Sequence, residues 1–217
     1  MKALLRFAAF TPQTRALDVG GSLWFWSESP LPCRITILNL RSEANPDPAR
    51  YELVEGDALR LPYTDGSFDL AVSNSVIEHV GTWENQQRFA AEIRRVAGRL
   101  WVQTPARGFP VEPHLVTPVV HWLPRGVQRR LLRNFTVWGW LTRPGPAQVD
   151  AFLDEVRLLT YDEMRELFPD CAILRERVLG VTKSYIAVRP APGREAAVAA
   201  HGARVGAQRS PSTQPAG

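Results

Sequence analysis

The chain has 217 residues, of which 45% are apolar, 9% aromatic and 22% charged. That balance excludes a disordered or fibrous polymer, and the length suffices to bury a core without disulfides or a structural metal. A net charge of +4, from 26 basic and 22 acidic residues, is too small by itself to argue nucleic-acid binding.

Residues 1–10 read as a short helix, because Lys2 and Arg6 interrupt the apolar run and no small-residue cleavage site follows. Strand-like runs then occupy 16–19, 35–40, 51–54, 68–73 and 100–103, each apolar enough for burial on both faces, with 172–178 and 184–188 forming an antiparallel pair joined through Gly180. Between the fourth and fifth strands Thr82 caps a helix that carries Phe89, Ile93, Val96 and Ala97 on one face and stops at Gly98. Thr160 and Glu163 have capping-box spacing ahead of Met164, Leu167 and Phe168. Alternating strands and helices predict an α/β fold with a parallel sheet.

Residues 105–159 are too many for an ordinary connection and are expected to form a helical lid over one end of the sheet. One lid helix sets Val127, Leu131, Leu132 and Phe135 against Arg125, Arg129, Arg130 and Arg133; a second uses Val149, Phe152, Val156 and Leu159. The arginine face suits a solvated helix side, or peripheral contact with an anionic membrane beside Trp122, Trp138 and Trp140. Residues 190–217 lose their large apolar side chains and read as a disordered tail, leaving one domain over 1–189. No stretch of about 18 apolar residues occurs, and Cys33 and Cys171 lack C-x-x-C partners. A cytoplasmic protein, with membrane association at most at its surface, is the expectation.

Ligands of an open parallel sheet bind beyond the carboxyl ends of its central strands. The first strand runs into Asp18-Val19-Gly20-Gly21-Ser22, an acidic residue and a glycine turn that lets a ligand approach backbone closely, although it is not G-x-G-x-x-G. Asn39 ends the second strand about 20 residues on, where such folds bind ribose hydroxyls. The third strand leads to Gly56-Asp57-Ala58, and the fourth runs out through Asn74-Ser75-Val76 to Glu78-His79-Val80. Asp57 also suits a turn or cap, and His79 beside Val76, Ile77 and Val80 also suits a packed residue.

In the order L-D-V-G, G-D-A-x-x-L-P, D-G-S-F-D and E-H-V, residues 16–105 resemble the class I S-adenosylmethionine-dependent methyltransferases, in their type 11-like branch. The resemblance implies a Rossmann-like sheet of seven strands ordered 3-2-1-4-5-7-6, with strand 7 antiparallel. It implies S-adenosylmethionine held by Asp18, Gly20, Gly21 and Ser22 at methionine and ribose, by Asn39 at ribose, by Asp57 and Ala58 at adenine, and by Asn74, Ser75 and Val76 beneath the methionine. The chain departs from the family in its later glycines, replaced around Ser22 and Trp24, and in having Asn39 where an acidic residue is usual.

A sulfonium methyl is already activated, so the protein must chiefly align an acceptor and exclude water. A hydroxyl acceptor also needs a base, for which His79 and His114 are candidates; Glu112 and His114 are candidates for holding the acceptor. A small-molecule or glycan acceptor, lipid-linked in one version, methylated at oxygen, is the first expectation, with no metal. A non-catalytic binding protein with the same fold is the alternative. Oligomeric state is left open.

Overall fold

A computed structural model describes residues 1–191 apart from 30, 42, 113–116, 119–122 and 136. His114, Trp122 and residues 192–217, the bulk of the expected tail, lie outside the described residues, as do the side chains of Glu112, Arg133, Phe135, Trp138 and Phe152.

Nine strands are described: β1 Ala16–Val19, β2 Ile35–Asn39, β3 Tyr51–Glu55, β4 Phe68–Asn74, β5 Ala97–Pro105, β6 Val111–Glu112, β7 Thr117–Pro118, β8 Ala172–Val178 and β9 Val181–Arg189. Seven form one sheet in the order β3-β2-β1-β4-β5-β9-β8, while β6 and β7 pair by themselves. The first five strands are parallel and β9 runs antiparallel to β5. This is the expected Rossmann-like order.

Helices α1 Lys2–Ala8, α2 Leu23–Ser27, α3 Trp83–Val96 and α7 Tyr161–Leu167 accompany the sheet. Side chains alternate across a strand, so Leu17 and Val19 of β1 join Phe89 and Ile93 of α3 and Met164 of α7 in one core. Ala16 faces the other way, into a core with Leu4 of α1 and Trp26 of α2. That alternation also turns Asp18 toward Trp26. β3 departs from the expected burial: as the sheet's edge strand it exposes Glu52 and Glu55.

Thr82 caps α3 by accepting from the Asn85 amide. The helix does not stop at Gly98: Ala97 is already extended and pairs with Phe68, so the chain passes directly from helix into β5. The Thr160–Glu163 capping box forms in both directions. Leu179 and Gly180, both at positive φ (51° and 82°), turn β8 into β9; two such residues match the right-handed twist of the flanking strands.

Among the described residues between β5 and α7 lie β6, β7 and three helices, α4 Arg125–Phe135, α5 Val137–Thr142 and α6 Pro146–Glu155. α5 has no counterpart in the sequence reading. The second expected helix ends at Glu155; Val156 and Leu159 lie beyond it, and Leu159 forms a parallel bridge with Ala106, accepting from the Arg107 amide at 3.0 Å. The two ends of this long connection are thereby pinned together.

The arginine face of α4 is in part an internal contact. Arg129 pairs with Asp150 of α6, and Arg125 donates to the Leu153 carbonyl at 3.0 Å. On the opposite face Leu132 is buried, while Val127, expected beside it, is 42% exposed. Among the described residues no helix is long and apolar enough to cross a membrane.

Candidate functional site

Strand order reverses between β1 and β4, which opens a crevice at their carboxyl ends. The loop leaving β1 there is built on two glycines with different reasons. Gly20 has φ +73°, donates its amide to the Leu38 carbonyl at 2.7 Å, and would set a Cβ 2.6 Å from Val76 Cγ1. At Gly21 a Cβ would stand 1.7 Å from Asp18 Oδ2. No side chain fits at either place, so the loop offers bare backbone to whatever lies above it. Ser22 is the N-cap of α2 and its side chain makes no capping bond.

Asp18 lies beneath this loop, 1% exposed. Its Oδ2 accepts from Trp26 Nε1 at 2.6 Å, and its Oδ1 has no hydrogen-bond partner. Burial pushes its carboxyl up to about 7, against the opposing effect of the indole hydrogen bond. The acidic residue of the first motif is thus a buried carboxyl that desolvation drives toward its neutral form, beneath the loop rather than open above it.

Asn39 ties the loop to β2. Its Nδ2 donates to the Gly21 carbonyl at 3.0 Å, and its Oδ1 accepts from the Leu40 amide at 2.8 Å. A small pocket opens here between Gly21, Ser22 and Leu23 on one side and Ile37, Asn39 and Leu53 on the other. Asp57 stands exposed beyond β3, where its Oδ1 accepts from the Leu59 amide at 2.8 Å, the turn contact its sequence also suited. Ala58 beside it packs against the core. Gly21, Asn39 and Gly56 are linked in series, since Asn39 Nδ2 holds the Gly21 carbonyl and the Gly56 amide donates to the Asn39 carbonyl at 2.9 Å.

From β4, Ser73 donates to the Val19 carbonyl at 3.0 Å and fixes β4 against the end of β1. Asn74 and Val76 are half-buried, and Ser75 has φ +56° with its amide donating to the Gln103 carbonyl. That left-handed residue turns the chain over the carboxyl end of β1, bringing Val76 against Gly20. The structure therefore gathers Asp18, Gly20, Gly21, Ser22, Asn39 and Val76 around one loop.

His79 sits in a short 3-10 turn, Ile77–His79, with its Nδ1 3.7 Å from Glu155 Oε1 at the end of α6. His114 lies outside the described residues and Glu112 is described only in its backbone, in β6. Three residues went unselected in the sequence. Glu78 is fully buried, with Oε2 accepting from Thr104 at 2.9 Å. Gln86, also fully buried, donates to the Ile77 and Arg157 carbonyls and accepts from the Arg157 guanidinium. Arg157 in turn reaches Glu163 at 2.5 Å and lies over the Trp83 ring. The signal for Gln86 was a polar residue on the apolar stripe of α3; Glu78 stood inside E-H-V; nothing marked Arg157.

The family described as methyltransferase domain matches residues 34–99. A protein of Encephalitozoon cuniculi named as a methyltransferase is 50% identical over 44 residues, 20% of this chain and 21% of that protein. Norajmaline N-methyltransferase of Rauvolfia serpentina is 50% identical over 42 residues, 19% of this chain and 13% of its own length. The chain therefore spans about a fifth or less of the curated relatives it matches. A solved structure of an S-adenosylmethionine-dependent methyltransferase from Methanosarcina mazei superposes with a TM-score of 0.52 at 16% identity, covering 88% of this chain and 98% of that one. It is similar in fold.

Proposed function

We propose that this chain, which carries a class I S-adenosylmethionine-dependent methyltransferase domain, transfers a methyl group from S-adenosylmethionine to a small-molecule or glycan acceptor, lipid-linked in one version, at oxygen. The observation that carries this is the glycine loop: two positions that admit no Cβ, at the carboxyl end of β1, tied by Asn39 to the strand that supplies the ribose position.

The residues present fit the cofactor. At Gly20 and Gly21 a Cβ would run into Val76 and Asp18, so the loop keeps bare backbone at the carboxyl end of β1, and Asp18 Oδ1 is an orphaned buried acceptor beneath it. When bound, the cofactor supplies an activated sulfonium methyl. Gly20, Gly21 and Ser22 would meet its methionine and ribose through backbone, Asn39 its ribose, Asp57 and Ala58 its adenine, and Asn74, Ser75 and Val76 the methionine from below. Exposed Leu40, next to Asn39, adds an apolar surface of the kind a purine favours. His79 would accept the acceptor hydroxyl's proton, with Glu155 stabilising the imidazolium that results. Glu112 and His114 would hold the acceptor. The helices over 105–159 would exclude water as a lid.

The experiment is transfer of isotopically labelled methyl from S-adenosylmethionine into sugar, carboxylate and amine acceptors, with His79→Ala beside the wild type. Label in a hydroxyl acceptor that falls at least roughly a hundredfold in the variant supports the reading; label in amines only moves the acceptor to nitrogen. A second reading has its own observation: Asp18 is occupied by Trp26 and Asn39 by the loop, as in a non-catalytic binding protein. A folded chain that neither binds S-adenosylmethionine nor transfers its methyl to any acceptor class favours it.

A further inference from the structure

The turn between β8 and β9 carries the most exposed large apolar side chain of the described residues. Leu179 is 97% exposed, with Val178 at 44% and Val181 at 43%. Val178 and Val181 are cross-strand partners, so they lie side by side on one face of the hairpin. The turn chemistry does not ask for this residue. A two-residue turn with φ +51° at its first position favours Asn, Asp or Gly there, and a leucine adopts it at a cost in backbone strain.

The charges at the base of the tip are basic. Arg175, Arg177 and Lys183 are exposed, while the one intervening carboxylate, Glu176, accepts from Ser184 at 2.5 Å. Glu176 pairs with Ser184 and Arg177 with Thr182, which leaves Lys183 as the extra residue of a bulge, a device that bends and re-aims the strand beyond it. β9 is antiparallel to β5, and Pro105, the last residue of β5, pairs with Ser184. Residues 177–182 therefore project past the carboxyl end of the sheet, the edge that carries the glycine loop, Asn39 and the exit of β4.

We infer that the β8–β9 tip docks this protein on an anionic phospholipid surface, with Leu179, Val178 and Val181 entering the headgroup boundary and Arg177 and Lys183 meeting the lipid phosphates. An apolar tip ringed by long basic side chains matches that interface in both polarity and charge. The docking stands independently of the transfer reaction; its use, bringing a membrane-borne acceptor to the open edge of the sheet, rests on the function proposed above.

The test is co-sedimentation of the full chain with vesicles of phosphatidylcholine alone and of phosphatidylcholine with phosphatidylglycerol in a ratio of about two to one. The wild type sediments with the mixed vesicles and not with the neutral ones. Leu179→Asn, which suits the turn and leaves the fold intact, weakens that binding roughly tenfold. The pair Arg177→Glu and Lys183→Glu weakens it as much and removes its salt dependence. Calorimetric binding of S-adenosylhomocysteine stays unchanged in Leu179→Asn, so loss of cofactor binding in the wild type counts against the proposed function and not against docking. Wild-type protein that ignores mixed vesicles, Leu179→Asn that binds them as well as wild type, or a dimer that Leu179→Asn dissociates in the absence of vesicle binding would overturn the inference.

Discussion

Trp26 Nε1 donates to Asp18 Oδ2 at 2.6 Å where neither residue is appreciably exposed, at 0% and 1%. The bond joins the end of β1 to α2 directly beneath the glycine loop, so the loop's floor is a buried carboxyl group held by an indole. A buried carboxyl with one orphaned oxygen favours its protonated form.

Stability should therefore depend on pH through Asp18. Its carboxyl is raised to about 7 in the folded chain from an ordinary value of 3.8. Folding then favours the protonated acid: its contribution is full below pH 3.8 and is lost as pH rises through 7. The span is on the order of 4 kcal/mol. Asp18→Asn keeps an acceptor for Trp26 and removes the charge, so its denaturation midpoint gains on the wild type between pH 5 and pH 8. Below that window the wild type loses stability by another route, as Asp69 and Glu92, held low by hydrogen bonds from Arg15 and Arg95, take up protons. An equal gap between the two proteins at both pH values would refute the assignment to Asp18.

Gly21→Ala forces a methyl group onto the Asp18 carboxylate, 1.7 Å from Oδ2. The loop must move to admit it, and a cost of about 1–3 kcal/mol is expected. Asp18→Asn does not relieve this clash, because the amide has the same bulk. Asp18→Ala does, so in a double-mutant cycle read by urea denaturation Gly21→Ala costs less in the Asp18→Ala background.

Asn39→Asp restores the acidic residue usual in the family, yet the structure predicts weaker cofactor binding. Asn39 Nδ2 donates to the Gly21 carbonyl; a carboxylate there sets two acceptors against each other and frees the loop. Calorimetry with S-adenosylhomocysteine should give a dissociation constant roughly tenfold higher in the variant. A tighter complex would mean that the ribose contact outweighs the loop tie.

Gln86 and Arg157 act as one unit. Gln86→Leu leaves the Ile77 and Arg157 carbonyls and the guanidinium without their buried partner, at an expected cost of about 1–3 kcal/mol. Arg157→Ala removes much of the same network, so the double variant should cost less than the two singles together by about 1 kcal/mol. Additive losses would show the two contacts to be independent.

The sheet was legible because its strands announce themselves: β1 is a short run that ends in Gly20-Gly21, β4 is an apolar run that follows Asp65-Gly66, and β8 and β9 flank Gly180. Thr82 and the Thr160–Glu163 pair marked helix starts through capping chemistry that acts over three residues. The end of α3 was not legible, because Gly98 reads as a stop while strand pairing at Ala97 decides the matter from across the sheet. The glycine loop and Asn39 were visible as motifs, but the tie between Asn39 and Gly21 spans 18 residues and exists only once β1 and β2 are paired. Trp26 looked like one tryptophan among seven. Only the alternation of β1 turns Asp18 to its indole. Arg157 gave no signal at all, since its partners come from α3 and α7.

The most direct measurement is calorimetric titration of the folded protein with S-adenosylmethionine and S-adenosylhomocysteine, beside Asp57→Ala, an exposed substitution that spares the core. Saturable binding of one cofactor per chain, weakened at least roughly tenfold in the variant, is the predicted result. A folded chain that binds neither ligand, or binds both equally well without Asp57, would contradict the site.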